Sequence, residues 1–367
     1  MLRVMLVAGS FPPRACGVGD YIARLAQALS ALGGINVSVL THASAALNLP
    51  SDVEILGVAR RWGIDEMLSI LRGVRQWDPD VVHIHYPSQG FYGRLLPALL
   101  PLACRALGVT VVQTWHEPWP LRSAVRVLLQ RAGTHGLMFV RPGYGQTVCR
   151  WLWPVICKVA RATVSSSGVL PVSSQTRDQR QALRERYLQG CQRLIVFFGF
   201  LYPSKGVEQL FDIADPACDA LVIAGASNDP AYALKLGQAA QARGWGGQVH
   251  YTGFLPEAHA ADLLAAADAV VLPFLTGAGD WNTSVHGALA QGTLVITTGE
   301  RPTGDDTVRN LYTAPISDVA AMRKALRTLA GRRVNVTQPA EAWGRIARSH
   351  QAFYELVRNL KSRNGLV

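Results

Sequence analysis

The sequence predicts an α/β protein built from two Rossmann-like domains, and three observations carry that expectation. Its 367 residues are enough for two ordinary domains. Short apolar runs alternate with longer stretches whose apolar residues recur every three or four positions, the pattern of parallel strands joined by covering helices. The alternation occurs twice, with a break around 166–190 where Ser165–Ser167, Gly168 and Pro171 give way to a polar, charged stretch.

In the first set, residues 4–8 read as a strand. Ile22, Leu25, Ala26, Leu29 and Leu32 then mark a helix with one buried stripe, ended by Gly33 and Gly34. Strands are expected at 35–41, 53–58, 80–85 and 109–114, with helices at 64–77 and 93–107. In the second set, strands are expected at 194–198, 220–224, 248–252, 269–273 and 294–298. Helices fall between them at 207–214, 231–243, 257–267 and 284–291. The tail, 341–360, reads as a helix whose apolar set is Trp343, Ile346, Phe353, Leu356 and Leu360. Domains are thus expected at 1–170 and 171–340, with a terminal helix at 341–367. Such sheets bind ligands beyond the carboxyl ends of their strands, so functional residues are sought there.

Composition narrows the classes. A chain that is 49% hydrophobic is not disordered and can build sizeable cores. The formal net charge of +11 points to an anionic partner: nucleic acid, an acidic membrane or a phosphorylated ligand. That charge is uneven. Residues 121–161 hold Arg122, Arg126, Arg131, Arg141, Arg150, Lys158 and Arg161 with no acidic residue, and Trp151 and Trp153 among them. Within it, 137–161 intermixes Trp151, Trp153, Val155 and Ile156 with Arg150, Lys158 and Arg161; a basic, aromatic amphipathic stretch of this kind suits an anionic lipid interface, and suits equally a core helix with a solvated basic face. The six cysteines show no C-x-x-C spacing, and no histidine cluster completes a zinc set, so free thiols in a reducing compartment are expected. Met1 leads straight into a strand without the pattern of a signal peptide, and the longest apolar runs, such as 95–103, are too short to span a bilayer. A cytoplasmic protein is expected, one able to rest on the inner face of the plasma membrane.

Several strand ends carry polar chemistry. After the first strand, Cys16-Gly17-Val18-Gly19-Asp20-Tyr21 opens a helix; glycines there let an anion approach backbone N–H groups at a helix N-terminus. The segment matches neither G-x-G-x-x-G nor a Walker loop, and fits a plain strand–helix turn as well. His83, His85 and Tyr86 end one strand; His116, Glu117 and Trp119 follow the next. His116 is the strongest polar candidate. Lys205, one of five lysines, follows the first strand of the second set and can neutralise a diphosphate as a point charge. Asp280, Asn282, Thr283 and Ser284 precede a helix, where capping residues are expected in any case.

In order and spacing, these segments resemble the retaining glycosyltransferases of the GT-B fold, in the large family four that contains many mannosyl-, glucosyl- and galactosyltransferases of bacterial envelope glycans. The segments are SFPP…CGVGDYIARLAQAL, PDVVHIHYP, VVQTWHEPWP, FFGFLYPSKGVEQL, YTGFLPEAHAADLLAAADAVVLPF and GALAQGTLVITT, and together they span nearly the whole chain. The resemblance implies two domains facing a central cleft, with the terminal helix crossing back onto the N-terminal domain. It implies an N-terminal acceptor domain and a C-terminal domain for a nucleotide-sugar. His116 matches the histidine that faces the transferred sugar. Gly17 and Gly19 would lie under the donor phosphates or the acceptor, Lys205 on the diphosphate, and Phe254 and Leu255 near the base. Asp20, His85, Tyr86, Glu117 and Trp119 would line the acceptor side. The implied reaction is hexose transfer with retention to a glycan acceptor, such as a polyprenyl-diphosphate-linked one, in envelope polysaccharide or exopolysaccharide synthesis. The nucleotide-sugar is a substrate; no cofactor and no obligatory metal is implied. The anionic membrane would be met through 121–161.

The sequence departs from the family in two places. Phe200 stands where an arginine is common, and Gly279 and Gly287 stand where two donor-loop glutamates are common. Asp280, Asn282, Thr283 and Ser284 are then expected to take over part of the donor contacts. The same departures admit an alternative, a non-catalytic GT-B partner in a glycan assembly complex. Nucleic acid is the least favoured partner, because no recognition motif is present.

Overall fold

The computed structural model describes residues 1–14, 16–45, 53–117, 124–141, 144, 152–227, 229–335 and 340–363. The chain divides into two compact units, Met1–Ser166 with Ala340–Val367, and Ser167–Pro339.

The first unit contains β1 (Leu2–Val7), α1 (Gly17–Ala31), β2 (Ile35–His42), β3 (Val53–Ala59), α2 (Met67–Trp77), β4 (Val81–Tyr86), α3 (Leu96–Ala106), β5 (Thr110–Trp115), α4 (Ala124–Ala132), β6 (Gly136–Phe139), the single turn α5 (Trp153–Ile156) and β7 (Ala160–Thr163). Among the described residues its sheet has seven strands, in the order β3-β2-β1-β4-β5-β6-β7, all parallel. Chain order reverses direction at the β1/β4 seam, which is where a doubly wound sheet opens a ligand crevice. Val4, Met5, Leu6 and Val7 are all buried, as the near-continuous apolar run of a two-sided parallel strand requires.

The second unit contains α6 (Arg177–Leu188), β8 (Arg193–Phe198), α7 (Leu210–Ile213), β9 (Asp219–Ala224), α8 (Pro230–Ala242), β10 (Val249–Gly253), α9 (Glu257–Ala266), β11 (Ala269–Leu272), α10 (Thr283–Leu289), β12 (Val295–Gly299), β13 (Gly304–Asp306), β14 (Leu311–Pro315) and α11 (Val319–Leu329). Among the described residues its strand order is β10-β9-β8-β11-β12-β14-β13, and only β13 runs antiparallel. The switch point is the β8/β11 seam.

The last helix, α12 (Ala340–Arg363), returns to the first unit. Its buried side chains are Trp343, Ile346, Ala347, His350, Phe353, Tyr354 and Val357, a stripe at spacings of three and four. The sequence-based set needs correcting here: Leu356 and Leu360 fall outside that stripe and are exposed. Gly136 allows the close approach, since a Cβ there would lie 2.6 Å from Val357 and 2.9 Å from Phe353.

The stretch 137–161 is also not one amphipathic element. Leu137, Met138 and Phe139 are buried in β6, and Leu152 and Ile156 pack with Leu137, Phe139 and Trp115 in a small core. Trp119, Arg122, Arg150 and Trp151 lie outside the described residues. No described helix is long and apolar enough to cross a membrane.

Candidate functional site

At the β1/β4 switch point, the loop after β1 is held from four directions. Trp62 Nε1 donates to Gly9 O at 2.9 Å, His42 Nε2 donates to Phe11 O at 2.8 Å, and Ser10 N donates to Ser88 Oγ at 2.9 Å. From the fourth side Gly90 lies so close that a Cβ would be 1.9 Å from Gly9 O. α1 begins immediately after, with Cys16 at its N-cap making no side-chain cap, so its first N–H groups are not consumed by a capping side chain. The two glycines differ. Gly17 is exposed, with nothing within 4 Å of an added Cβ, whereas Gly19 is buried with Ser10 O at 2.6 Å. Gly17 leaves backbone open to a ligand; Gly19 seats the helix on the loop.

Beneath α1 lies a cluster of four histidines. His83 and His85 point to the same face of β4 because alternate strand residues do. Their rings are 4.1 Å apart and both are fully buried. His83 bonds Tyr354 OH at 2.6 Å and Thr114 Oγ1 at 2.8 Å. His85 Nδ1 bonds His116 Nε2 at 3.0 Å, with the rings stacked at 5.3 Å. His350 donates from Nδ1 to Ile346 O at 2.8 Å. Tyr21 sits edge-on to His116 at 5.0 Å, and Trp343 sits edge-on to Tyr21 at 5.2 Å. Burial disfavours the charged ring at every position. It pushes His116 down to about 3 and His350 to about 4, and holds His83 and His85 well below the ordinary histidine value; neighbouring rings add to the effect at His83, His85 and His116. Around neutral pH the cluster is uncharged. His116 alone is half-buried, at the carboxyl end of β5.

In the second unit, the turn after β8 packs on the turn after β11. Leu275 N donates to Ser204 O at 3.0 Å, and Gly206, at φ +62°, lies so close that a Cβ would be 2.2 Å from Pro273 O. Lys205 Nζ lies 4.4 Å from the Phe274 ring centroid. Ser284, in the first turn of α10, places its Oγ 3.0 Å from a Cβ on Gly199, directly after β8. Phe254 follows β10 and is 55% exposed, a large apolar ring left in solvent at a strand end; Leu255 is half-buried.

The structure thus brings Lys205, Ser284 and the backbone of Gly199 to one switch point, and Gly17, Asp20, Tyr86 and His116 to the strand-end side of the other. It separates some expected contacts. His85 is covered by its neighbours and reaches an acceptor only through His116. Asp280 turns to Arg309 at 3.3 Å, and Asn282 Oδ1 accepts Gly279 N at 2.8 Å within its own turn. Tyr86 is half-buried, with Arg126 bonded to its hydroxyl, and Glu117 is exposed. Trp119 lies outside the described residues. Among the described residues no group of three His, Cys, Asp or Glu side chains is arranged to hold a metal. Sequence reasoning missed His350, Tyr354 and Tyr21. The first two lie at i and i+4 of α12 and so share a face, a pattern that could have placed them together.

Comparison with known proteins agrees with this architecture. Residues 15–184 match the domain model "Glycosyltransferase Family 4", and residues 192–332 match "Glycosyl transferases group 1". No curated protein matches the chain in sequence. Among solved structures, sucrose-phosphate synthase from Thermosynechococcus elongatus superposes with TM-score 0.68 at 15% identity, over 99% of this chain and 98% of that one. Anabaena HepE in complex with UDP-glucose gives 0.67 at 13%, over 99% and 100%. WaaG, a glycosyltransferase involved in lipopolysaccharide biosynthesis, gives 0.60 at 17%, over 97% and 98%. At these identities the likeness is one of fold. With two doubly wound units in the observed order and a glycosyltransferase domain model matching within each half, the chain is a glycosyltransferase of the GT-B type.

Proposed function

We propose that the protein transfers a hexose from a nucleotide-sugar to a lipid-linked glycan, with retention of anomeric configuration, in the assembly of envelope polysaccharide or exopolysaccharide. The observation that supports donor binding most is that the strand ends at the β8/β11 switch point carry Ser284 beside Gly199 and Lys205 over Phe274. A diphosphate placed there gains a cation, a hydroxyl donor and a glycine backbone without side-chain obstruction, while Phe254 offers a face for the base. The HepE complex makes a uridine nucleotide-sugar the first donor to test. Gly17, Asp20, Tyr86, His116 and Glu117 form the acceptor and sugar side. Asp280 and Thr283 belong to the donor loop.

In such a transfer, positive charge develops on the sugar and negative charge on the leaving diphosphate. Lys205 stabilises the second as preorganised electrostatics. His116, neutral at pH 7, contributes a hydrogen bond to the sugar rather than a proton or a charge. No step requires a metal or another cofactor. At one of the two glycines that replace the common glutamates the space is taken: a Cβ at Gly279 would strike the Trp281 ring at 2.2 Å. Donor contacts therefore fall to Ser284, Lys205 and the backbone.

The lipid is met by the basic surface of 121–161, of which α4 is a described part. Val125 is 71% exposed and Leu128 and Val155 are exposed too, while Arg131 donates to Val155 O at 3.1 Å. The protein then works in the cytoplasm at the inner face of the plasma membrane. Substituting His116→Ala tests the sugar-side assignment: kcat is expected to fall about 10²-fold, the usual loss of one preorganised donor. Unchanged kcat would remove His116 from the mechanism.

A further inference from the structure

Among the described residues the His116 ring has one hydrogen-bond partner, His85, and that partner has an unequal pair of nitrogens. His85 Nδ1 lies 3.0 Å from His116 Nε2, while His85 Nε2 is buried with no hydrogen-bond partner. Between two neutral imidazoles one nitrogen donates and the other accepts. If His116 donated, His85 would carry its own proton on Nε2, leaving a buried N–H unpaired. If His85 donates, its Nε2 keeps only a lone pair, and no N–H is stranded. Orphaned buried N–H groups are the rarer defect in folded proteins. His83 is occupied at both nitrogens by Tyr354 and Thr114, so its ring nitrogens offer His85 Nε2 no partner.

We propose that His85 is a positioning residue that donates from Nδ1 to His116 Nε2 and so fixes His116 as the Nδ1–H tautomer, aiming that N–H at a ligand oxygen. The inference deepens the sugar-side role given to His116 and rests on it for its functional meaning. Histidines that bind oxygen acceptors depend on which nitrogen carries the proton, and the hydrogen bond at the other nitrogen sets that choice. In the cluster, α12 supplies the outer support through Tyr354 on His83 and His350 beside it, with ring centroids 5.4 and 5.6 Å away. The C-terminal helix thereby contributes to the geometry of the residue that follows β5.

The test is long-range proton–nitrogen NMR on the full chain labelled with ¹⁵N-histidine, with the His116 signals assigned by their loss in His116→Asn. The wild type is expected to show the Nδ1–H tautomer at His116. His85→Asn keeps a donor amide near the position of Nδ1 and is expected to preserve both the tautomer and most of kcat. His85→Phe removes the donor. It is expected to release the Nε2–H form and lower kcat about 10²-fold, the scale of one lost preorganised donor, with KM for the donor substrate changed far less. An Nε2–H tautomer in the wild type would overturn the proposal, whether or not His85→Phe folds. So would equal losses in both variants with the tautomer unchanged. A wild type that shows Nδ1–H but transfers no sugar would refute the glycosyl-transfer function and leave the ring pair standing.

Discussion

Mild acid should unfold the N-terminal unit, and the histidine cluster sets the scale. In the unfolded chain a histidine takes up its proton near pH 6.5. In the folded unit His116 does so only at about 3 and His350 at about 4, and His83 and His85 are also held well below the ordinary value. Below about pH 6.5 the unfolded state therefore binds more protons, so the stabilisation is complete above that pH and is lost as the pH falls. Each group changes stability by about 1.4 kcal/mol per pH unit. His116 and His350 alone remove about 5 kcal/mol between roughly pH 6.5 and 4.5, and His83 and His85 shift stability in the same direction. A domain has only about 5–15 kcal/mol to lose. Urea unfolding followed by tryptophan fluorescence, repeated across this range, should show the midpoint of the N-terminal unit falling steeply with little change in m. His350→Phe should make the dependence shallower by about one proton. A midpoint independent of pH, or a His350→Phe slope equal to that of the wild type, would show that the cluster is not buried and neutral.

Two further outcomes follow from the same geometry. Gly19→Ala places a methyl 2.6 Å from Ser10 O and should cost about 1–3 kcal/mol, whereas Gly17→Ala, with open space around it, should stay within about 0.5 kcal/mol; urea midpoints of the two variants compare them directly. Replacing Val125 and Leu128 with Asp should weaken sedimentation with vesicles rich in anionic lipid by about tenfold while leaving zwitterionic vesicles unaffected, as expected if an apolar and basic face meets the bilayer.

Much of the fold is legible in the sequence because parallel sheets write themselves as repeated apolar runs. The ten strands expected from those runs are all present, and α1 follows the stripe through Ile22, Leu25 and Leu29. What was not legible has physical causes. β6 and β7 have four residues each, too short for periodicity to register, and β7 alternates exposed and half-buried residues. α6 has no fully buried residue, so it carries no apolar stripe; its signal is instead the capping box of Thr176 and Gln179. α11, capped by Asp318, was likewise not anticipated. At the site, His116 and Lys205 stood out as polar residues at strand ends. The cluster behind His116 did not, because His350 and Tyr354 lie more than 230 residues away in sequence and only the return of α12 brings them beneath α1. Asp280 and His85 have partners that sequence does not show. Sequence places one before a helix and the other at a strand end, but only packing reveals that Arg309 pairs with the first and that His116 covers the second.

The central claim is that the β8/β11 switch point binds a nucleotide-sugar diphosphate, and calorimetric titration with a panel of nucleotide-sugars tests it most directly. One donor, with UDP-sugars tried first, is expected to bind the wild type, and Lys205→Ala is expected to weaken that donor about ten- to a hundredfold, the range for losing one charged hydrogen bond. Absence of binding to every donor, or equal affinity in Lys205→Ala, would contradict the account.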